Sequence, residues 1–149
     1  MEVKVTKPLR PGQLIVRGVA RHLRRLGYVS LEEFAPTRGL RVDIIAFGPK
    51  GELWIIECKS SRTDFTSDSK WKNYLEWSDR FFWAVGQDFP TEILPAENGL
   101  IIADAYDAAI IRNAPQNAMA TARRKSVIHK FARKAAERLH NLRDNEFTI

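Results

Sequence analysis

Residues 41–61 read RVDIIAFGPKGELWIIECKSS, two apolar runs on either side of a Gly-Pro-Lys-Gly turn. The runs are rich in β-branched and aromatic residues, a composition typical of central strands. Pro49 fixes φ at the second position of the turn, and the glycines on either side tolerate positive φ. The stretch therefore predicts a hairpin of two buried strands.

Three ionisable residues interrupt this apolar background, namely Asp43, Glu57 and Lys59. Side chains alternate along a strand, so Glu57 and Lys59 share one face and Cys58 lies on the other. Pairing of the two strands brings Asp43 close to Glu57. Two carboxylates that close repel each other unless a cation lies between them, and hard oxygens suit Mg²⁺ or Mn²⁺.

A lysine beside such a metal site can hold or deprotonate a water, or offset the charge of a phosphate. These are the parts that metal-assisted hydrolysis of a phosphodiester needs. The alternative is a surface hairpin in which Glu57 and Lys59 form an exposed pair of little energetic weight.

The spacing of these residues resembles the motif of the PD-(D/E)xK nuclease superfamily: Asp43 is followed by thirteen residues and then by Glu57-x-Lys59. Val42 stands in place of the proline of that motif. The resemblance implies that Asp43, Glu57 and the carbonyl of Cys58 bind the metal and that Lys59 is catalytic. Many members place a further acid on the first helix. No acid lies between residues 14 and 26 here, so that carboxylate is absent or is replaced by Glu32 or Glu33.

Two longer stretches, DFTSDSKWKNYLEWSDRFFWAV at 64–85 and GLIIADAYDAAIIR at 99–112, resemble the MmcB-related family of small bacterial DNA-repair proteins. The likeness extends over about residues 14–142. It implies a single restriction-endonuclease-like domain of the α/β (α+β) class, a mixed central sheet flanked by helices. It also implies Mg²⁺ or Mn²⁺ as cofactor and DNA as partner. Asp64 and Asp68 resemble fixed positions of this family, and capping or loop hydrogen bonds are the roles expected of them.

The composition is that of one ordinary globular domain, with 149 residues, 44% of them hydrophobic and 28% charged. No apolar run is long enough for a transmembrane helix, and the N-terminus has no apolar signal core, so no membrane association or export is expected. The lone Cys58 excludes an internal disulfide and fits a reducing cytoplasm. With that cysteine and three histidines, a structural zinc site is not expected.

The net charge of +6 is unevenly distributed along the chain. Residues 1–41 and 112–149 each carry nine Lys/Arg against three acids, and residues 42–111 carry six against twelve. Basic flanks around an acidic centre suit a protein that contacts a phosphate backbone and holds cations between. Solvated helix faces rich in Lys and Arg are the alternative. The residues predicted to contact nucleic acid are Arg17, Arg21, Lys70, Lys72, Arg112, Arg123, Arg124 and Lys130.

The periodicity predicts a loosely ordered arm over 1–12, broken by prolines and a glycine, and a nuclease-like domain over 13–149. Helices are predicted over 13–26, 67–79 and 119–142, and a polar loop over 60–67. Strands are predicted over 28–34 at a sheet edge, in the hairpin, and over 81–85, 100–103 and 108–112. The buried stripes are Ile15, Val19, Leu23 and Leu26 on the first helix, and Ile128, Phe131, Ala135, Leu139 and Leu142 on the last.

The leading hypothesis is a magnesium-dependent DNA endonuclease that acts in repair, with structure rather than sequence preference. A catalytically weak or inactive DNA-binding or adaptor module of the same fold is the alternative, and the missing first-helix acid favours it. An RNA-processing nuclease would use the same site. Other DNA-repair proteins as partners and a homodimer remain open from the sequence.

Overall fold

The centre of the fold is a six-stranded sheet whose strands lie side by side in the order of the sequence. The structure, a computed structural model, describes residues 7–144. The strands are β1 (Val29–Thr37), β2 (Leu40–Phe47), β3 (Leu53–Lys59), β4 (Arg80–Val85), β5 (Gly99–Ala103) and β6 (Ala108–Arg112). Neighbours from β3 to β5 run parallel, and the remaining pairs run antiparallel. The sheet is therefore mixed, and β1 lies at an edge as predicted.

Helices cover both faces of this sheet. On one face α1 (Pro11–Arg25) packs Ile15, Val19 and Leu23 into a cluster that contains Ile56 and Phe82. The other face is covered by a 3₁₀ helix at Trp71–Trp77 and by α3 (Thr121–Arg143), which contribute Tyr74 and Val127 to a second cluster. Short α2 (Arg62–Thr66) follows β3. The predicted α+β domain with a mixed sheet between helices is confirmed.

The hairpin of β2 and β3 forms as the sequence predicts. Gly48 N–H donates to the Glu52 carbonyl, and Gly51 closes the turn with a φ of 85°, in the left-handed region that favours glycine. Ile44 pairs with Ile56 and Phe47 with Leu53. The paired register ends at Ile44 and Ile56, and immediately beyond it the N–H of Asp43 donates to the side chain of Glu57, so the two residues meet as the sequence predicts.

Helix α1 begins at Pro11, two residues before the predicted start. Proline suits the first helical position because its missing N–H would have no partner there. The N–H of Arg10 donates to Gln13 Oε1 over 2.8 Å and ties the preceding residue to the first turn. Residues 11 and 12 therefore belong to the helix rather than to the predicted arm, and residues 1–6 lie outside the described part. Leu26, placed in the buried stripe, is 44% exposed because it follows the helix's last turn.

The segment after β3 differs from the prediction. Residues 62–66, expected in a polar loop, form α2, because Ser61 Oγ accepts the N–H of Asp64 and caps it. The helix predicted over 67–79 is the shorter 3₁₀ helix. It starts at Trp71 because Asp68 Oδ1 accepts the N–H groups of Lys70 and Trp71 and holds the chain outside the helix until there.

Helix α3 buries fewer of its apolar side chains than its sequence stripe predicts. Ile128 is 45%, Leu139 57% and Leu142 81% exposed, while Val127 is fully buried. Phe131 and Ala135 are half-buried. The helix contacts β1, and its Phe131 packs edge-on against Phe47 of β2, whereas Leu139 and Leu142 near its C-terminus stay exposed. Between residues 7 and 144, none of the helices combines the length and hydropathy that crossing a bilayer requires.

Candidate active site

The two carboxyl groups of the hairpin are joined through the backbone. The N–H of Asp43 donates to Glu57 Oε1 over 2.8 Å, and the N–H of Cys58 donates to Asp43 Oδ2 over 2.9 Å. Asp43 is half-buried, whereas Glu57 is 4% exposed. The structure therefore brings Asp43 and Glu57 together, since Glu57 binds the backbone of Asp43 and Asp43 binds the backbone of the residue after Glu57.

This proximity changes the protonation of the pair. Burial, and then the charge of Asp43, raise the pKa of Glu57 to about 9. Burial also raises the pKa of Asp43, although the Cys58 N–H and the Lys59 charge oppose the rise. These raised pKa values favour a proton on the carboxyl pair at neutral pH. The pair is a place where a cation can substitute for a proton.

Lys59 lies next to the pair and is held by acids from the following segment. Its Nζ is 2.8 Å from Asp68 Oδ2 and 4.0 Å from Asp64 Oδ1. Burial lowers the pKa of Lys59, but the hydrogen bond and charge of Asp68 outweigh burial and raise it. Lys59 is thus a buried, charged ammonium.

Asp68 is a residue whose role in the site could not be read from the sequence. Its Oδ1 caps the 3₁₀ helix, as the capping prediction expected, while its Oδ2 binds Lys59. The expected loop hydrogen bond of Asp64 is present, because its Oδ2 accepts the Ser60 N–H over 3.1 Å. The spacing of nine residues between Lys59 and Asp68 gives no sign of the ion pair, because it depends on the path of α2.

The donor set fits a magnesium or manganese ion. Two carboxyl groups supply hard oxygens, and Mg²⁺ in proteins is commonly held by one or two carboxylates with water completing the shell. An extended residue directs its N–H and C=O towards the same neighbouring strand, so the Cys58 carbonyl is expected on the side of Asp43. Within residues 7–144, no three His, Cys, Asp or Glu side chains cluster closely enough to hold a metal by themselves.

The site opens on two sides. Asp43 and Cys58 line a cavity of about 460 Å³ beside the start of α1, while Glu57 and Lys59 line another of about 300 Å³ beside the 3₁₀ helix. Asp43 is the more accessible of the predicted catalytic residues, because Glu57 and Lys59 are only 4% and 7% exposed.

The cavity at Asp43 contains both candidates for the acid that is missing from the first helix. Glu32 and Glu33 both line it, and so does Gln13 from the first turn of α1. Glu33 has a φ of 48°, a left-handed conformation that costs free energy in a non-glycine residue. The first helix, which carries no acid, thus contributes Gln13 to this cavity, and nothing in the spacing of the sequence marks that residue.

The predicted phosphate contacts occupy different surroundings. Arg17 and Arg21 are exposed on α1 beside a groove that Glu32 also lines. Lys70 is exposed at the rim of the Glu57 and Lys59 cavity. Lys72 is exposed and lies over the Trp71 ring, 5.7 Å from its centroid.

The other four cations predicted to contact nucleic acid are bonded to protein groups. Arg112 donates to the carbonyls of Pro95 and Asn98, and Lys130 donates to the carbonyl of Pro36. Arg123 stacks on Trp77 with 4.3 Å to the ring centroid. Arg124 forms a two-pronged ion pair with Asp79. These bonds give each of the four a structural role in the chain itself.

Comparison with known proteins identifies the family. The model of the MmcB-like family, described as DNA repair protein MmcB-like, matches residues 9–146. A solved structure of a Silicibacter pomeroyi protein of unknown function is 64% identical, with a TM-score of 0.92 over 95% of this chain and 97% of that one. No curated protein matches the sequence. The chain belongs to the MmcB-like family of DNA repair proteins.

Proposed function

We propose that this protein is a metal-dependent nuclease of the PD-(D/E)xK type that hydrolyses DNA phosphodiesters during repair. The observation that carries the proposal is the meeting of Asp43 and Glu57, two carboxyl groups whose pKa values burial raises, so that a cation between them would stabilise both. A buried ammonium, Lys59, is the next residue but one along the same strand. Membership in a DNA repair family supports DNA as the substrate.

Each residue has a role that its surroundings support. Asp43 and Glu57 would hold Mg²⁺ or Mn²⁺, with the Cys58 carbonyl on the same side of β3. A metal ion held there would polarise the scissile phosphate and lower the pKa of its bound water. Because Asp68 keeps Lys59 protonated, Lys59 acts as a fixed positive charge that stabilises negative charge on the phosphate, rather than as a base.

A DNA-binding or adaptor module without hydrolytic activity is the second candidate. One observation favours it, namely the burial of Glu57 and Lys59 to 4% and 7% exposure. Lys59 is also already neutralised by Asp68. In this case binding would not depend on Lys59 or on a divalent ion. Such an adaptor would bind other DNA-repair proteins or form a homodimer.

The experiment is cleavage of nicked, branched, single-stranded and duplex DNA, with an RNA strand for comparison, in Mg²⁺ or Mn²⁺. Wild type is compared with Asp43→Ala and Lys59→Ala, and binding is measured on the same substrates in EDTA. We expect metal-dependent cleavage that both substitutions abolish while binding persists. If no substrate is cleaved and neither substitution affects binding, the nuclease proposal is wrong and the adaptor is the function. Cleavage of the RNA strand alone would make RNA the substrate.

A further inference from the structure

Two neighbouring cavities lie alongside α1, and the inner one reaches Asp43. Its outer section, about 550 Å³, is lined by Arg17, Arg24 and Glu32. Its inner section, about 460 Å³, is lined by Glu32 again and by Asp43. Glu32 lines both sections, so they lie next to each other along the helix, and together we call them the α1 groove.

The helix side of the α1 groove is basic. One side of the helix presents four residues spaced at intervals of three, four and seven, namely Arg10, Gln13, Arg17 and Arg24. Residues 11–25 contain no acid. Arg10, Arg17 and Arg24 are exposed, and none of them forms an ion pair with a carboxylate in the described chain. Arg21 lies at the rim, with its guanidinium 6.0 Å from the Tyr106 ring.

The strand side of the α1 groove is acidic. Glu32 and Glu33 of β1 are both exposed and both line the inner section. A duplex presents phosphates on two strands, so one row would face these carboxylates across the groove. A single strand presents one row, which the arginines of α1 can take. Its bases then face β1, where carboxylates accept hydrogen bonds from exocyclic amino groups.

We propose that the α1 groove binds a single-stranded segment of DNA and delivers one of its phosphates to Asp43. This inference rests on the proposed nuclease function and specifies the substrate of that same site. The preferred substrates are therefore DNAs with an unpaired strand, such as flaps, forks and gaps. Intact duplex is the disfavoured form.

The length of the arginine row sets the size of the segment. From Arg10 to Arg24 the helix rises roughly 21 Å, room for on the order of six phosphates at the axial spacing of one stacked strand. Beyond Asp43 the surface continues into a cavity lined by Ser60, Asp88 and Asp104, with no Lys or Arg among its described lining residues. The bound strand therefore extends from Asp43 along α1.

The test is equilibrium binding of a labelled single strand and of the matching duplex in EDTA, which separates binding from cleavage. The first variant is Arg17→Gln with Arg24→Gln. We expect it to bind the single strand on the order of tenfold more weakly and to lower the magnitude of the log K against log salt slope by about 1.4, two phosphates' worth. The control is Lys125→Gln with Arg133→Gln, which removes two exposed charges from α3 on the opposite face of the sheet. We expect it to leave binding unchanged.

A second variant tests the acidic side. Glu32→Gln with Glu33→Gln removes the repulsion of a second strand, so we expect duplex affinity to rise by on the order of tenfold relative to single-strand affinity. Equal wild-type affinity for both forms, or equal losses in the α1 and α3 variants, would overturn the proposal. Single-strand binding through α1 without any cleavage would leave the groove standing while the nuclease function fails. Cleavage without any preference for single-stranded DNA would support the nuclease function while the single-strand proposal for the α1 groove fails.

Discussion

Lys59 Nζ lies 2.8 Å from Asp68 Oδ2, and each side chain is only 9% exposed. The other oxygen of Asp68 accepts the N–H groups of Lys70 and Trp71. One carboxylate therefore fixes the charge and position of the lysine and also fixes the start of the 3₁₀ helix. The site is built from the hairpin and from the segment that follows it.

Replacement of Asp68 should slow cleavage without weakening DNA binding. In Asp68→Asn the amide can still accept the two N–H groups, but it loses the charge that holds Lys59. We expect kcat to fall on the order of 10²-fold with KM little changed. The control is Glu97→Gln, an exposed carboxyl in the loop before β5, which should leave kcat unchanged. A rise in KM with an unaltered kcat would contradict a positioning role for Asp68.

The pKa of Glu57 predicts that stability falls as pH rises. In the unfolded chain Glu57 deprotonates near its ordinary pKa of 4.5, whereas in the fold its pKa is about 9. Between these values the folded state binds the extra proton, so the free energy of unfolding falls by up to about 1.4 kcal/mol per pH unit for one proton. Glu57→Gln stays neutral at every pH. Urea unfolding in EDTA at pH 5.5, 7 and 8.5 should show a shallower decline for this variant than for wild type. Parallel profiles would show that Glu57 is ionised in the fold.

Gly18 allows α1 to approach the turn between β5 and β6. A Cβ at this position would lie 1.8 Å from the Asp104 carbonyl oxygen and 2.8 Å from that of Asp107. Backbone atoms cannot move aside cheaply, so Gly18→Ala should destabilise the fold by on the order of 1–3 kcal/mol. Gly12→Ala, in the same helix with no atom within 4 Å of its Cβ, is the control. It should be neutral or stabilising by up to about 1 kcal/mol. Thermal unfolding measures the stability of both variants. Equal changes in stability would contradict the close approach of α1 to the turn.

Two neighbouring arginines of α3 should contribute unequally to stability. Asp79 is buried, accepts both prongs of Arg124 and also accepts the Leu53 N–H over 2.8 Å. Arg124→Gln should therefore cost on the order of 2–3 kcal/mol, since it leaves a buried carboxylate without its cation. Arg123 pairs with Glu76, whose side chain is 72% exposed, so we expect Glu76→Gln to cost less than about 1 kcal/mol. Chemical denaturation at pH 7 measures both.

The same ion pair makes acid destabilising. Burial raises the pKa of Asp79. The hydrogen bonds from Arg124 and Leu53, together with the Arg124 charge, lower it by more than burial raises it, so the pKa of Asp79 lies below its ordinary value. A carboxyl with a depressed pKa stabilises the fold above its ordinary pKa of 3.8 and loses that contribution as pH falls through the lower folded value. The stability difference between wild type and Arg124→Gln should therefore shrink as pH falls below about 4. A constant difference down to pH 2.5 would contradict this.

The sequence by itself determined the hairpin and the position of its charged residues. Alternation along a strand is fixed by covalent geometry, so the facing of Glu57 and Lys59 follows from their spacing alone. The turn sets the register of the hairpin, and Asp43 and Glu57 follow directly beyond its last pair, Ile44 and Ile56. The row of arginines on α1 is likewise a local property, because helical periodicity is fixed over a few residues.

Only the tertiary structure decided which distant groups complete the site. Asp68 reaches Lys59 through the segment that contains α2, and Gln13 lines the Asp43 cavity because α1 packs on that face of the sheet. It also decided that Arg124 serves the fold, since its partner Asp79 precedes a strand 45 residues earlier. The sequence does not encode these contacts in any local spacing, because they depend on how loops of irregular conformation direct the chain.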